Sequence, residues 1–192
     1  MSTIAIPHTA HNNHDDHAHD HHKETFLTKY VFSQDHKMIA KQFLITGIIM
    51  GVIAMLLSIL FRIQLAYPDE SFPLLEVFLG KFAPEGRLDP NFYLSLVTIH
   101  GTIMVFFVLT AGLSGTFSNL LIPLQLGARD MASPFMNMLS YWFFFLSSLL
   151  MLVSLFVESG PAMAGWTIYP PLSALPQAVS GSGLGMTLWL FS

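Results

Sequence analysis

The segment "VTIHGTIMVFF" (97–107) places a histidine, His100, near the centre of a long apolar run. An ionisable side chain inside a membrane is costly, and where it occurs it usually has a function. A neutral imidazole is also a common axial ligand of haem iron. From these residues alone two interpretations stay open: a ligand or proton relay, or a histidine bonded to a carbonyl of a neighbouring helix.

Arg62 and Trp166 are predicted to lie at a similar depth to His100. His100 follows Asn91 by nine residues, which puts it about 13 Å inside the outer end of its helix. Arg62 lies six residues before Pro68, about 9 Å in from the same side. Trp166 follows the third apolar run, which ends on that side too. An imidazole, a guanidinium and an indole can therefore meet in the outer half of a membrane.

The helix face around His100 suggests what these groups could bind. Leu96, Met104 and Phe107 lie four residues before, four after and seven after His100, so they are predicted to share its face. Gly101 leaves room beside the ring. An apolar, polarisable slot with one imidazole suits a haem, whose polar substituents a buried arginine could meet. Because such stripes are also common in plain cores, the haem prediction rests on the histidine and the arginine together.

A second polar group is predicted at the inner side. Asn119 and Asn137 flank Arg129 and Asp130 at the inner ends of two adjacent apolar runs. Such a polar mouth suits the uptake of protons or ions. The alternative is ordinary capping, because an aspartate near a helix N-terminus is favourable in any case.

The composition requires a membrane setting for these groups. Hydrophobic residues make up 53% of the 192 residues and charged residues 10%, against about 25% charged in typical soluble domains. The absence of cysteine excludes disulfides, thiolate catalysis and Cys-ligated metals. The net charge of −4 gives no case for nucleic-acid binding.

The fold class predicted from these runs is all-α, a polytopic transmembrane helical bundle. Two spans are expected, from about 42 to 65 and from about 92 to 117 or slightly beyond, each long enough for a hydrocarbon core of about 30 Å. A third is expected from Pro134, capped by Ser133, to just before Gly160. The last ten residues, "GLGMTLWLFS", cover only about 15 Å as a helix. The expectation is therefore three spans plus the start of a fourth, in an N-terminal fragment of a longer chain.

Residues 1–28 are predicted to form a His/Asp-rich, disordered cytoplasmic tail, and residues 29–192 the membrane-embedded part. The stretch "HTAHNNHDDHAHDHHKE" has few groups able to build a core. It could bind Zn, Cu or Ni loosely, but a solvated tail is the simpler reading. Lysine and arginine favour a cytoplasmic N-terminus, with five residues on that side and three on the other.

These motifs together resemble subunit I of the haem-copper terminal oxidases, most closely cytochrome c oxidase. The resemblance runs through "FSQDHKMIAKQF", "LFRIQ", "HGTIMVFF", "NLLIPLQLGARDMASPFMN" and "GWTIYPPL", in that order from Phe32 onward. It implies an integral protein, expected in a bacterial cytoplasmic membrane. It also implies partners: other oxidase subunits, cytochrome c or a cytochrome c domain as electron donor, oxygen and the lipid bilayer.

The resemblance implies roles for the outer group of residues. His100 would be an axial iron ligand of the low-spin haem a, with Met104 beside it. Arg62 and Trp166 would bond the formyl group of that haem. The second axial ligand, the high-spin haem and the copper ligands are expected beyond residue 192, so no catalytic residue is expected within this fragment.

For the inner group the resemblance implies a proton channel that opens at Asp130, with Asn119 and Asn137 above it. The activity implied is electron transfer from cytochrome c through haem a to a haem-copper centre that reduces oxygen to water, coupled to proton uptake and pumping.

Two rival functions remain. Quinol-oxidising relatives carry a histidine and a glutamine where this chain has Phe92 and Ser95, and polar residues where it has Ile53 and Leu57. These departures favour cytochrome c as donor over quinol. The second rival is a haem-free membrane transporter or an assembly scaffold.

Overall fold

The computed structural model describes residues 26–157, 160–175 and 183–192, and every regular element within them is helical. The all-α prediction is therefore confirmed. In chain order the principal helices are α1 (His36–Ala66), α2 (Pro73–Leu79), α3 (Pro90–Leu126), α4 (Pro134–Ser154) and α5 (Gly183–Phe191). Three of them, α1, α3 and α4, are long and apolar enough to cross a membrane, as the apolar runs predict.

The membrane helices begin at recognisable start signals. Asp35 accepts a hydrogen bond from the N–H of Lys37 at 3.1 Å, so α1 starts six residues before the predicted start at 42. Asp89 accepts the N–H groups of the second and third residues of α3, and a proline opens that helix. Ser133 occupies the N-cap position of α4 as predicted, but its side chain makes no capping hydrogen bond.

Helix α3 contains a wide segment and continues past its predicted end at 117. Its middle part, Ile103–Leu113, has π-helical hydrogen bonding, and the Thr110 hydroxyl donates to the carbonyl of Val105 five residues earlier at 2.7 Å. Segments of this kind are rare and often lie at functional sites. The helix ends at Gly127, which adopts a left-handed conformation with φ of 65°.

Glycines set the contact between α1 and α3. A Cβ on Gly47 would lie 3.1 Å from the Cα of Gly112, and a Cβ on Gly112 would lie 2.7 Å from the Phe107 carbonyl oxygen. A Cβ on Gly51 would meet only the Val108 side chain, at 3.6 Å. The close approach of α1 to α3 therefore depends on Gly47 rather than on Gly51, because small residues let helix backbones approach closely.

The main core lies between α1, α3 and α4. Phe43 of α1 is central to it, with ring centroids 5.3 Å from Tyr141 and 5.2 Å from Phe144, both of α4. A second buried cluster lies at the outer end, where Leu75 of α2 packs with residues of α3. The second cluster includes residues of α3 that precede His100, and the main core includes residues that follow it.

The predicted tail (1–28) lies outside the described residues except for its last three, and its disorder stays a prediction. Leu27–Val31 forms one helical turn. The Gln42 side-chain amide donates to the carbonyls of Tyr30 and Val31 at 2.8 and 3.0 Å, which ties this turn to α1.

Candidate functional site

His100 lies in α3 directly before the π-helical segment and faces α1. Its Nδ1 lies 2.8 Å from the backbone carbonyl oxygen of Ala54. A carbonyl oxygen can only accept, so Nδ1 carries the proton and Nε2 keeps its lone pair. The two interpretations left open by the sequence are therefore compatible, because each uses a different ring nitrogen. Metal-bound histidines commonly donate their other N–H in this way.

Aromatic rings flank His100 on the α1 side. The Phe61 ring meets the imidazole edge-on, with centroids 5.6 Å apart and planes at 70°. Tyr93 of α3 packs edge-on against Phe61 at 6.0 Å. The Phe61 ring and the Ala54 carbonyl thus restrain the imidazole plane of His100 from two sides.

Arg62 follows Phe61 directly in α1, so its side chain projects from the next position around that helix. Its side chain is exposed, and among the described residues it has no hydrogen bond or ion pair. A guanidinium inside a membrane span is expensive unless it is paired or reaches the interface. Arg62 lies four residues before the end of α1 at Ala66, so its guanidinium is free to meet a further group or the membrane interface.

Trp166 lies in the segment that follows α4 and approaches α3 next to His100. Its Cδ1 atom is 3.8 Å from the position that a Cβ on Gly101 would occupy. Its ring centroid is 5.9 Å from that of Phe106. The space that Gly101 leaves beside His100 is therefore taken by the indole. Within the described residues no hydrogen bond joins Trp166 to Arg62 or His100.

The three residues predicted to share a helix face with His100 differ in their exposed fractions. Leu96 and Phe107 are 1% and 4% exposed and belong to the two core clusters, whereas Met104 is 39% exposed. Met104 and Phe107 both lie in the π-helical segment Ile103–Leu113, where the α-helical period on which the face was based no longer applies. The role of Met104 beside a cofactor stays a prediction.

At the inner end the two predicted asparagines are in direct contact. The Asn137 side-chain amide of α4 donates to Oδ1 of Asn119 in α3. Asn119 is only 4% exposed, and its own amide donates to the Gly115 carbonyl at 2.8 Å. The pair thus forms a polar contact between two membrane helices, although 18 residues separate its members.

Asp130 pairs with a residue that the sequence did not indicate. Its Oδ1 lies 3.2 Å from Nδ1 of His36 and accepts the N–H of Met131 at 2.7 Å. His36 opens α1 and is 3% exposed, and Asp35 lies 3.5 Å from the same nitrogen. Asp130 does not cap α4, whose N-cap position is Ser133.

The sequence offered one signal for this pair, namely a histidine between an aspartate and the first apolar run. A contact across 94 residues depends on where the inner ends of α1 and the α3–α4 connection meet. No periodicity reports that position.

Comparison with known proteins places the chain in a family. Residues 38–192 match the family described as cytochrome C and quinol oxidase polypeptide I. With three helices able to cross a membrane and a histidine presented between two of them, the chain belongs to the family of haem-copper oxidase subunit I.

Individual relatives agree with this assignment. The chain is 44% identical over 171 residues to "Alternative cytochrome c oxidase subunit 1" of Bradyrhizobium diazoefficiens, covering 89% of this chain and 26% of the relative. It is 38% identical over 163 residues to "Heme-copper oxidase subunit I+III" of Aeropyrum pernix, covering 85% and 18%. It is 34% identical over 192 aligned residues to "Cytochrome c oxidase subunit 1" of Cereibacter sphaeroides, covering 92% and 33%. The chain thus spans between 18% and 33% of the length of these relatives.

Proposed function

We propose that this chain is the N-terminal part of the catalytic subunit of a respiratory cytochrome c oxidase. The subunit would pass electrons from cytochrome c through haem a to a haem-copper centre that reduces oxygen to water. Protons would be taken up from the cytoplasmic side of a bacterial membrane. The observation that carries the proposal is the hydrogen bond from Nδ1 of His100 to the Ala54 carbonyl, because it leaves Nε2 available to an iron.

The residues around His100 fit a haem. One imidazole nitrogen keeps a lone pair, a guanidinium on the adjacent helix lacks a protein partner among the described residues, and the surrounding side chains are aromatic or aliphatic. Bound haem a would supply the electron-transfer chemistry by cycling its iron between two oxidation states. His100 would hold the iron, while Arg62 and Trp166 would bond the haem periphery and tune its potential.

The inner group of residues would take up protons. Asp130 is partly exposed, with 39% of its side-chain surface accessible, so water can reach its carboxylate. The buried imidazole of His36 lies 3.2 Å from that carboxylate and would hold it in place at the mouth of the path. The Asn119–Asn137 pair would orient water molecules further into the membrane.

The positions that distinguish quinol-oxidising relatives support cytochrome c as the donor. Phe92 is 7% exposed and its ring stacks on Phe82 with centroids 4.5 Å apart. Ser95 is fully buried, with its hydroxyl 3.2 Å from the Pro161 carbonyl. Neither side chain is available to a quinone headgroup.

The test is a His100→Ala substitution in the complete subunit of the assembled complex. The reduced-minus-oxidised spectrum is expected to lose the low-spin haem a band. His36→Ala is the matched control, because it removes a histidine that is 3% exposed at the other end of the bundle and should leave that band intact. A normal low-spin haem band in the His100→Ala complex would overturn the ligand assignment.

Turnover assays decide the electron donor. The unaltered complex is expected to oxidise reduced cytochrome c. Turnover with ubiquinol or menaquinol but not with cytochrome c would assign it to the quinol oxidases. A complex with no haem a band would instead favour a haem-free transporter or an assembly scaffold.

A further inference from the structure

Three buried hydroxyl groups follow one face of α3 next to His100. Ser95, Thr98 and Thr102 are 0%, 4% and 2% exposed, and their spacing of three and four residues aligns them along the helix. The hydroxyls of Thr98 and Thr102 each donate to the carbonyl four residues earlier, at 2.9 Å. Each oxygen therefore keeps lone pairs that can accept a hydrogen bond from another segment.

Each hydroxyl makes a second contact with the chain that follows α4. Ser95 Oγ lies 3.2 Å from the Pro161 carbonyl oxygen. Thr98 Oγ1 accepts the backbone N–H of Gly165 at 3.1 Å. Thr102 Oγ1 accepts the indole N–H of Trp189 at 2.9 Å. The face thus fastens both the 160–166 segment and α5 to the helix that carries His100.

The Thr98 contact is the one that bears on the candidate site. Gly165, whose φ of 75° is strained for other residues, directly precedes Trp166. Ala164 on its other side is 7% exposed, so the backbone here is docked against the bundle. Thr98 lies two residues before His100, so a single turn of α3 presents the imidazole and anchors the indole.

We infer that Thr98 is a positioning residue, which holds Trp166 beside the haem ligand His100 through the Gly165 N–H. This inference rests on the proposed function, since it gives the indole a haem to contact. Valine has nearly the shape of threonine but cannot accept a hydrogen bond, so Thr98→Val leaves the Gly165 N–H unpaired. The 160–166 segment then loosens and Trp166 leaves its place next to Gly101.

The first readout follows the segment itself and needs no haem. The 192 residues contain no cysteine, so Ala164→Cys adds one thiol, whose maleimide labelling can be timed in the detergent-solubilised complex by mass spectrometry. Thr98→Val is expected to raise the labelling rate about tenfold, the factor that matches one unpaired buried donor. Thr98→Ser should restore the slow rate, because it keeps the hydroxyl.

The second readout is the absorption maximum of the low-spin haem, which should shift in Thr98→Val and return in Thr98→Ser. Thr110→Val is the matched control, because the Thr110 hydroxyl bonds only the Val105 carbonyl of its own helix and should change neither readout. If Thr98→Val fails to assemble, Thr98→Ala removes the same acceptor with a smaller side chain.

Unchanged labelling in Thr98→Val, or faster labelling with an unshifted haem band, overturns the inference. The two proposals fail separately. A low-spin haem that survives His100→Ala removes the ligand assignment on which the proposed function rests, whereas the labelling result reports only on the anchoring of the segment.

Discussion

The two polar regions of this chain differ in how completely their groups are satisfied. In the outer region Nε2 of His100 and the guanidinium of Arg62 have no recorded partner among the described residues. In the inner region the polar groups pair with one another, since Asn119 bonds Asn137 and His36 lies 3.2 Å from Asp130. Both regions are built on the same helices, α1 and α3.

The difference indicates what each region needs from its surroundings. Unpaired polar groups are costly in an apolar medium, so under the proposed function the outer region would gain its missing contacts from the haem. The inner region is assembled from side chains of α1, α3, the connection after α3, and α4. Under the same proposal it would serve as a polar path for protons without a cofactor.

The largest expected effect comes from separating α1 from α3, because both polar regions are built on these two helices. Gly112→Val places a side chain where even a Cβ lies 2.7 Å from the Phe107 carbonyl oxygen and 3.1 Å from Gly47. The Gly47 neighbour is backbone of α1, so the valine must push α1 away from α3, whereas the clash with the Phe107 carbonyl distorts the π-helical segment of α3 itself. We expect both the haem a band and proton uptake to be lost, or the complex to fail to accumulate.

Gly51→Ala is the control on the same contact between α1 and α3, since its Cβ would lie 3.6 Å from the Val108 side chain, an ordinary van der Waals distance. It should preserve both measurements. If the Gly112→Val complex keeps its haem a spectrum and its proton uptake, the contact between α1 and α3 does not support both regions.

Asp130→Asn should separate the two regions. The amide cannot carry a proton, so proton uptake in reconstituted vesicles should slow by about 10²-fold, the low end for loss of a positioned proton-transfer group. The haem a spectrum should not change, because Asp130 lies at the inner end. Undiminished uptake would remove the channel assignment.

Arg62→Met should affect the outer region alone and less severely. Removal of the guanidinium takes away a charge beside the haem periphery but leaves His100 in place. We expect the low-spin haem to remain with a shifted absorption maximum and a changed midpoint potential, measured by spectroelectrochemical titration.

Arg87→Met is the matched arginine control, because Arg87 lies in the outer connection and donates to the Asp69 carbonyl. It should move neither quantity. An unshifted spectrum in Arg62→Met would contradict the contact between Arg62 and the haem.

The smallest expected effect is that of His36→Gln. Glutamine can still hydrogen-bond to Asp130 but has no ring nitrogen that exchanges a proton, so the carboxylate keeps its contact while the imidazole is lost. We expect proton uptake to fall several-fold less than in Asp130→Asn, with no change in the spectrum. A loss equal to that of Asp130→Asn would instead make His36 an essential proton carrier.

Local signals predicted much of this arrangement. The apolar runs predicted the three spans, because a membrane helix must satisfy its backbone within one continuous apolar stretch. Polar residues inside or beside those runs stood out against their surroundings, which is why His100, Asn119 and Asn137 were found. The two asparagines were predicted to line a polar mouth, which stays a prediction; their direct hydrogen bond is visible only in the structure.

Other features had no local signal. The π-helical segment of α3 has no evident mark in the sequence, and within it Phe107 is buried whereas Met104 is exposed. The N-terminal turn at Leu27–Val31 depends on a distant glutamine in α1.

The sequence by itself determined the class of protein, the number of described spans and the family, because hydrophobic length and ordered motifs are properties of the chain alone. The tertiary structure decided which nitrogen of His100 is free, that His36 meets Asp130, and that Thr98 holds the segment before Trp166. These contacts join residues 46, 94 and 67 positions apart. The first contact joins α1 and α3, which Gly47 and Gly112 let approach closely. The other two depend on where the connections that follow α3 and α4 return to these helices, which no local property of the sequence reports.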